Sequence, residues 1–122
     1  MFELKVITDF AAAHQLKMVS RKCENLHGHN WKIEVCVTGE KLTDAGVILD
    51  FGELKKHIAD IVAGLDHKFL NELDCFSDGN PSSENIAMYI AETLRKSIDD
   101  DSIKISRVTA WESEDACATY IV

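Results

Sequence analysis

The chain has 122 residues, 46% of them hydrophobic, with six glycines and one proline; this suits one globular domain with one core and excludes a disordered or low-complexity chain. No apolar run approaches the roughly 20 residues that span a bilayer, and the N-terminus lacks the charged and apolar regions of a secretory signal, so a cytoplasmic protein is expected. Thirteen Lys and Arg against 21 Asp and Glu give a formal charge of −8, which argues against nucleic acid as a partner, as the missing apolar span argues against a membrane.

Residues 2–14 alternate, with Phe2, Leu4, Val6, Thr8, Phe10, Ala12 and His14 on one side. Residues 27–38 alternate as well, placing His27, His29, Trp31, Ile33, Val35 and Val37 together. Period two is the mark of a half-buried antiparallel strand. Residues 51–64 carry Phe51, Leu54, Ile58, Ile61 and Val62 at helical spacing, with Asp50 as N-cap and Gly64 as stop. Asn80-Pro81-Ser82-Ser83-Glu84 opens a second helix, with Pro81 near its first position and a stripe of Ile86, Ile90 and Leu94. Residues 103–112 and 116–122 form a closing hairpin around the polar turn at 113–115. The expected architecture is a single α+β domain over residues 1–122, in the order ββααββ, with both helices on one face of a four-stranded antiparallel sheet. Such a sheet leaves edges and a second face uncovered, and oligomerisation is the natural remedy.

The strongest local feature is Cys23-Glu24-Asn25-Leu26-His27-Gly28-His29. Residues two apart on a strand point the same way, so His27 and His29 can present their rings to one ion. His14 ends the preceding strand in phase with its apolar face. If the two strands pair, the three imidazoles form a known zinc set with one position left for water or substrate. Taken singly, each histidine also reads as a core residue. No second C-x-x-C or histidine arm supports a zinc finger.

Near a zinc ion the Cys23 thiol would lose its proton more readily and could act as a base; otherwise it is a small buried residue. Cys36 falls by parity on the face away from the histidines, and Cys75 and Cys117 have no evident partner, so all three are expected to be free thiols. Asp66 and His67 follow the first helix, and in a turn the aspartate can orient the histidine for proton transfer; taken alone, the pair reads first as a plain surface turn. Glu112 could accept two N–H groups from an amino-pyrimidinone ring, or be an exposed strand-end carboxylate. Lys17, Arg21 and Lys22 are the densest basic segment, either a solvated loop or a cradle for an anionic ligand.

Taken in order, Phe10 to His14, Cys23 to Asn30, Gly46 to Phe51, Leu65 to Asn71, Pro81 to Asn85 and Trp111 to Ser113 resemble the motifs of the 6-pyruvoyltetrahydropterin synthase superfamily over nearly the whole chain. Within it the chain looks most like the bacterial 6-carboxytetrahydropterin synthases of the queuosine pathway. The resemblance implies a tunnelling fold in which subunits close a barrel, usually a hexamer of two trimers with sites between subunits. It implies zinc on His14, His27 and His29, Cys23 as catalytic acid/base, Asp66 and His67 as proton relay, and Glu112 as anchor of the pterin, helped by Ser82 and Ser83. Three residues separate Cys23 from His27, as in the carboxy-forming enzymes, whereas pyruvoyl-forming enzymes carry a longer insert. A third branch, forming 6-hydroxymethyl-dihydropterin, carries glutamate at the position of Cys23 and is disfavoured on that ground. Trp31 replaces a usual tyrosine, and Ser113 stands where threonine is common. The implied reaction is a lyase step on 7,8-dihydroneopterin triphosphate, yielding 6-carboxy-5,6,7,8-tetrahydropterin, acetaldehyde and triphosphate.

Overall fold

The computed structural model describes residues 1–18 and 24–122. Strands β1 (Phe2–His14) and β2 (His27–Gly39) are followed by α1 (Phe51–Ala63), a short β3 (Lys68–Phe69), two 3₁₀ turns, α2 (Ser83–Ile98), β4 (Ile103–Ser113) and β5 (Ala116–Ile121). The sheet order is β3-β1-β2-β4-β5. All neighbours are antiparallel except β3, which runs parallel to β1. The expectation of four antiparallel strands is corrected by this fifth strand. Its two residues are too few to show alternation. It forms because the edge of β1 offers unpaired backbone groups that need partners. The His67 N–H donates to Ala11 O at 2.6 Å, and Asp66 Oδ1 accepts from the Ala11 N–H at 2.9 Å.

Both helices pack on the face that the alternation of β1 and β2 marks as apolar. Helix α1 contributes Leu54, Ile58 and Val62; α2 contributes Ile86, Ala87, Ile90, Ala91, Leu94 and Ile98. They meet Val6, Phe10, Trp31, Ile33, Val35, Ile105 and Val108 of the sheet in one core. Each such large side chain stabilises the fold by about 1.5–3 kcal/mol through burial. The stripe of α1 is narrower than its spacing suggests: Phe51 is exposed at the first turn and Ile61 is only partly buried against the core.

Asp50 caps α1 through the Glu53 N–H, and Gly64 closes it in a right-handed conformation. The left-handed residue of that turn is His67, at φ 57°. At α2 the N-cap is Ser82, whose side chain accepts the Asn85 N–H. Pro81 therefore lies one residue before the cap rather than at the first helical position.

Two irregularities shape β4. One falls opposite Cys36 and Val37; the other falls between Trp111 and Ser113, where Glu112 has no partner on β5. A bulge of this kind re-aims a side chain at the end of a ladder. Among the described residues, no helix is long and apolar enough to cross a membrane.

Candidate metal centre and active site

The antiparallel register makes His14 the direct partner of His27, and Ala12 the partner of His29. Directly opposed residues share a face, so all three imidazoles project on the helix side, at the open end of the sheet. Their ring centroids lie 4.4 Å (His14 to His27), 5.1 Å (His14 to His29) and 4.9 Å (His27 to His29) apart. Trp31, fully buried, packs edge-on beneath His14 at 5.2 Å and His29 at 5.3 Å. Glu112 reaches the same point from β4. The ligand atoms of His14, His27, His29 and Glu112 all lie within 4.8 Å of one another.

Backbone carbonyls orient two of the rings. His14 Nδ1 lies 2.8 Å from Pro81 O, and His27 Nδ1 lies 2.6 Å from Asn25 O. A carbonyl only accepts, so each Nδ1 carries the proton and each Nε2 keeps its lone pair, the arrangement a ligating histidine needs. Among the described residues, His14 Nε2 is buried with no hydrogen-bond partner. An orphaned buried acceptor costs about 1–3 kcal/mol, and a cation bound there would remove that cost. Burial pushes the pKa of His14 and of His29 below 6.5, opposed by the Pro81 carbonyl at His14 and by Glu112 at His29. Both are thereby kept in the neutral form that binds metal. These residues fit a divalent ion of zinc type.

His29 Nε2 sits 2.9 Å from Glu112 Oε1, yet off the line of an aligned hydrogen bond. Glu112 Oε2 accepts a long hydrogen bond from Ser83 Oγ, 3.5 Å. Ser83 is buried and faces the site, while Ser82 Oγ is committed to the helix cap.

Asp66 and His67 also meet: Oδ2 lies 2.9 Å from Nδ1. The left-handed φ of His67 folds these adjacent side chains together, a conformation His adopts more readily than most residues. The Ala11 N–H, with His67 second, holds the Asp66 carboxyl below its ordinary range. The His67 ring, 81% exposed, lines one surface pocket with Ala11, Ala13, Gly28 and Asn30, strand positions facing away from the helices, and with their neighbours Ala12 and His29. Neither Asp66 nor His67 belongs to the cluster of ligand atoms that His14, His27, His29 and Glu112 form.

A family model described as 6-pyruvoyl tetrahydropterin synthase matches residues 3–121. The chain belongs to the 6-pyruvoyl tetrahydropterin synthase family. It is 40% identical, over 87% of its length and 85% of the relative's, to the dihydroneopterin monophosphate aldolase of Pyrococcus furiosus. It is 36% identical to a putative 6-carboxy-5,6,7,8-tetrahydropterin synthase of Archaeoglobus fulgidus, over 93% and 90% of the two chains. The 6-pyruvoyl tetrahydropterin synthase structure from Caenorhabditis elegans superposes with a TM-score of 0.88 at 28% identity, covering 99% of this chain and 95% of that one. Enzymes of the family are metal-dependent lyases acting on pterins.

His14, His27 and His29 converge as their spacing suggests, and Glu112 joins them in one cluster. Cys23, Arg21 and Lys22 lie outside the described residues. Lys17 is exposed. Cys36 is buried, and Cys75 and Cys117 are exposed; all three are free thiols. Sequence reasoning missed the carbonyls of Pro81 and Asn25, which have no side-chain signature. It also missed two asparagine clamps on the chain leaving β1. Asn71 pairs with both backbone groups of Gln15 at 2.8 and 2.9 Å, and Asn80 with both of Lys17 at 2.9 and 2.8 Å. Their partners lie 56 and 63 residues away in sequence, beyond any local pattern.

Proposed function

We propose that this chain is a zinc-dependent 6-carboxy-5,6,7,8-tetrahydropterin synthase. It converts 7,8-dihydroneopterin triphosphate and water to 6-carboxytetrahydropterin, acetaldehyde and triphosphate, a step of queuosine-type 7-deazapurine biosynthesis. The observation that carries this reading is the convergence of three histidines, two of them oriented by backbone carbonyls, beside a carboxylate at the open end of the sheet. The three-residue interval from Cys23 to His27 favours the carboxy-forming subtype.

When bound, zinc would supply Lewis-acid polarisation of the substrate's side-chain oxygens. The protein's own groups do the rest. Glu112 accepts N–H groups of the pterin ring and fixes the side chain against the histidine centre, a gain in proximity. Ser83 steadies that carboxylate; Ser82 supports it by holding the start of α2. Cys23, as thiolate, takes a proton from the side-chain carbon made acidic there. His67, oriented by Asp66, moves the second proton. Because that pair lies outside the cluster its own triad forms with Glu112, we assign it to the centre of a neighbouring copy, in a homohexamer of two trimers. Lys17, Arg21 and Lys22 are assigned to the triphosphate by charge alone.

A second reading has specific support from the archaeal relative with 40% identity, a dihydroneopterin monophosphate aldolase. The same site would then cleave the bond between the first two side-chain carbons of dihydroneopterin monophosphate, giving 6-hydroxymethyl-7,8-dihydropterin and glycolaldehyde phosphate. Mass spectrometry of products from the zinc-loaded protein, offered the triphosphate and the monophosphate in parallel, tests both. Carboxytetrahydropterin with acetaldehyde supports the synthase. A hydroxymethyl product from the monophosphate transfers the assignment to the aldolase, and a pyruvoyl product from the triphosphate keeps the site but changes the reaction. No turnover of either substrate leaves a non-catalytic zinc- or pterin-binding oligomer.

A further inference from the structure

Glu112 has a position that a ring anchor does not need. Its Oε1 lies 2.9 Å from His29 Nε2, and its carboxylate joins the three imidazoles inside a 4.8 Å cluster. The two atoms are close without forming an aligned hydrogen bond, so a donor–acceptor pair does not account for the contact. A cation shared between them makes the contact attractive. The β4 irregularity at Glu112 turns the residue out of the ladder at this point, and the hydrogen bond from Ser83 holds only the other oxygen, at 3.5 Å. The carboxylate is thus near enough to ligate, and it is only lightly tethered. Three histidines and one carboxylate complete a four-coordinate zinc set, which is closed, whereas a catalytic centre keeps one position open.

We infer that Glu112 is an exchangeable fourth metal ligand, closing the centre at rest and leaving it when the ring of a pterin takes the carboxylate. The inference rests on the metal-dependent pterin reading above. Its consequence is a centre that opens to the substrate's side chain only once the ring is seated. A group that serves two partners by turns makes them compete, and binding linkage requires the competition to be reciprocal.

The test needs three zinc affinities by chelator competition, for wild type, Glu112→Gln and His14→Ala. It also needs fluorescence titrations of wild type with pterin, the bicyclic ring without a side chain, in zinc-loaded and zinc-free forms. Glu112→Gln is expected to weaken zinc by more than the roughly 10- to 100-fold that loss of an outer hydrogen-bond partner costs. In wild type, zinc should weaken pterin, and pterin should weaken zinc, by one common factor of about 5 to 150. The wild-type coupling needs no variant, so a folding defect in Glu112→Gln cannot mask it. Equal zinc affinity in wild type and Glu112→Gln, with His14→Ala weaker, would overturn the fourth ligand and leave the histidine centre standing. Zero or positive coupling between zinc and pterin would overturn the exchange. Unchanged zinc affinity in His14→Ala would overturn the histidine centre, and the inference with it.

Discussion

Replacing Ser82 with alanine separates the two roles its position permits, ring contact and helix cap. Ser82 Oγ accepts the Asn85 N–H at 3.2 Å, and the preceding Pro81 carbonyl holds His14 Nδ1 at 2.8 Å. Loss of a serine N-cap costs about 1 kcal/mol, within a range of roughly 0.5–2. At the usual unfolding entropy per residue, 1 kcal/mol lowers the melting temperature of a chain this size by about 4 °C. The Pro81 carbonyl remains in place, so zinc affinity should fall by less than the roughly 10-fold that loss of an outer hydrogen-bond partner costs. The assay is thermal or urea unfolding of the metal-free variant beside wild type, with KM for the pterin substrate measured in parallel. Reduced stability with an unchanged KM fits a cap. A variant as stable as wild type but with a raised KM would show that Ser82 touches the ring and that the capping argument is wrong.

Cys23→Ala should abolish turnover while zinc content, read by elemental mass spectrometry, stays at the wild-type level; zinc lost together with activity would make Cys23 a ligand instead. Asp66→Asn keeps an acceptor for the Ala11 N–H but loses the charge facing His67. Its kcat should drop by about 10²-fold or more and its pH–rate profile should move, with zinc content unchanged; loss of zinc would contradict the placement of this pair away from the triad. In the metal-free protein, His14 and His29 have pKa values lowered by burial from 6.5, so below that value the unfolded chain binds more protons than the folded one. Stability should therefore be full above about pH 6.5 and decline as the pH falls through the lowered values. Urea midpoints across that range would show it, and a His14→Phe variant should flatten the decline; a midpoint that rises on acidification would refute the sign.

Much of this protein was legible in its sequence because strand and helix periods are local properties. Alternation along residues 2–14 and 27–38 placed the three histidines on one face before any pairing was known, and the caps Asp50 and Gly64 marked the ends of α1. What lay beyond the sequence came from groups far apart in the chain. The strand β3 exists because an edge of β1 needed partners, not because Lys68 and Phe69 prefer to be extended. The carbonyls of Pro81 and Asn25, which orient His14 and His27, have no residue-type signature. Phe51 fits the helical stripe yet lies outside the packed core. Glu112 reads from spacing as a strand-end carboxylate; only the irregularity in β4 and the pairing of β4 with β2 carry it to His29. Sequence alone determined which residue types could ligate and which face they share, because side-chain direction follows backbone period. Tertiary structure decided their distances, the carbonyls that orient their rings and the placement of Asp66 and His67 outside their cluster, because those depend on hydrogen bonds and packing between segments that meet only in the folded chain.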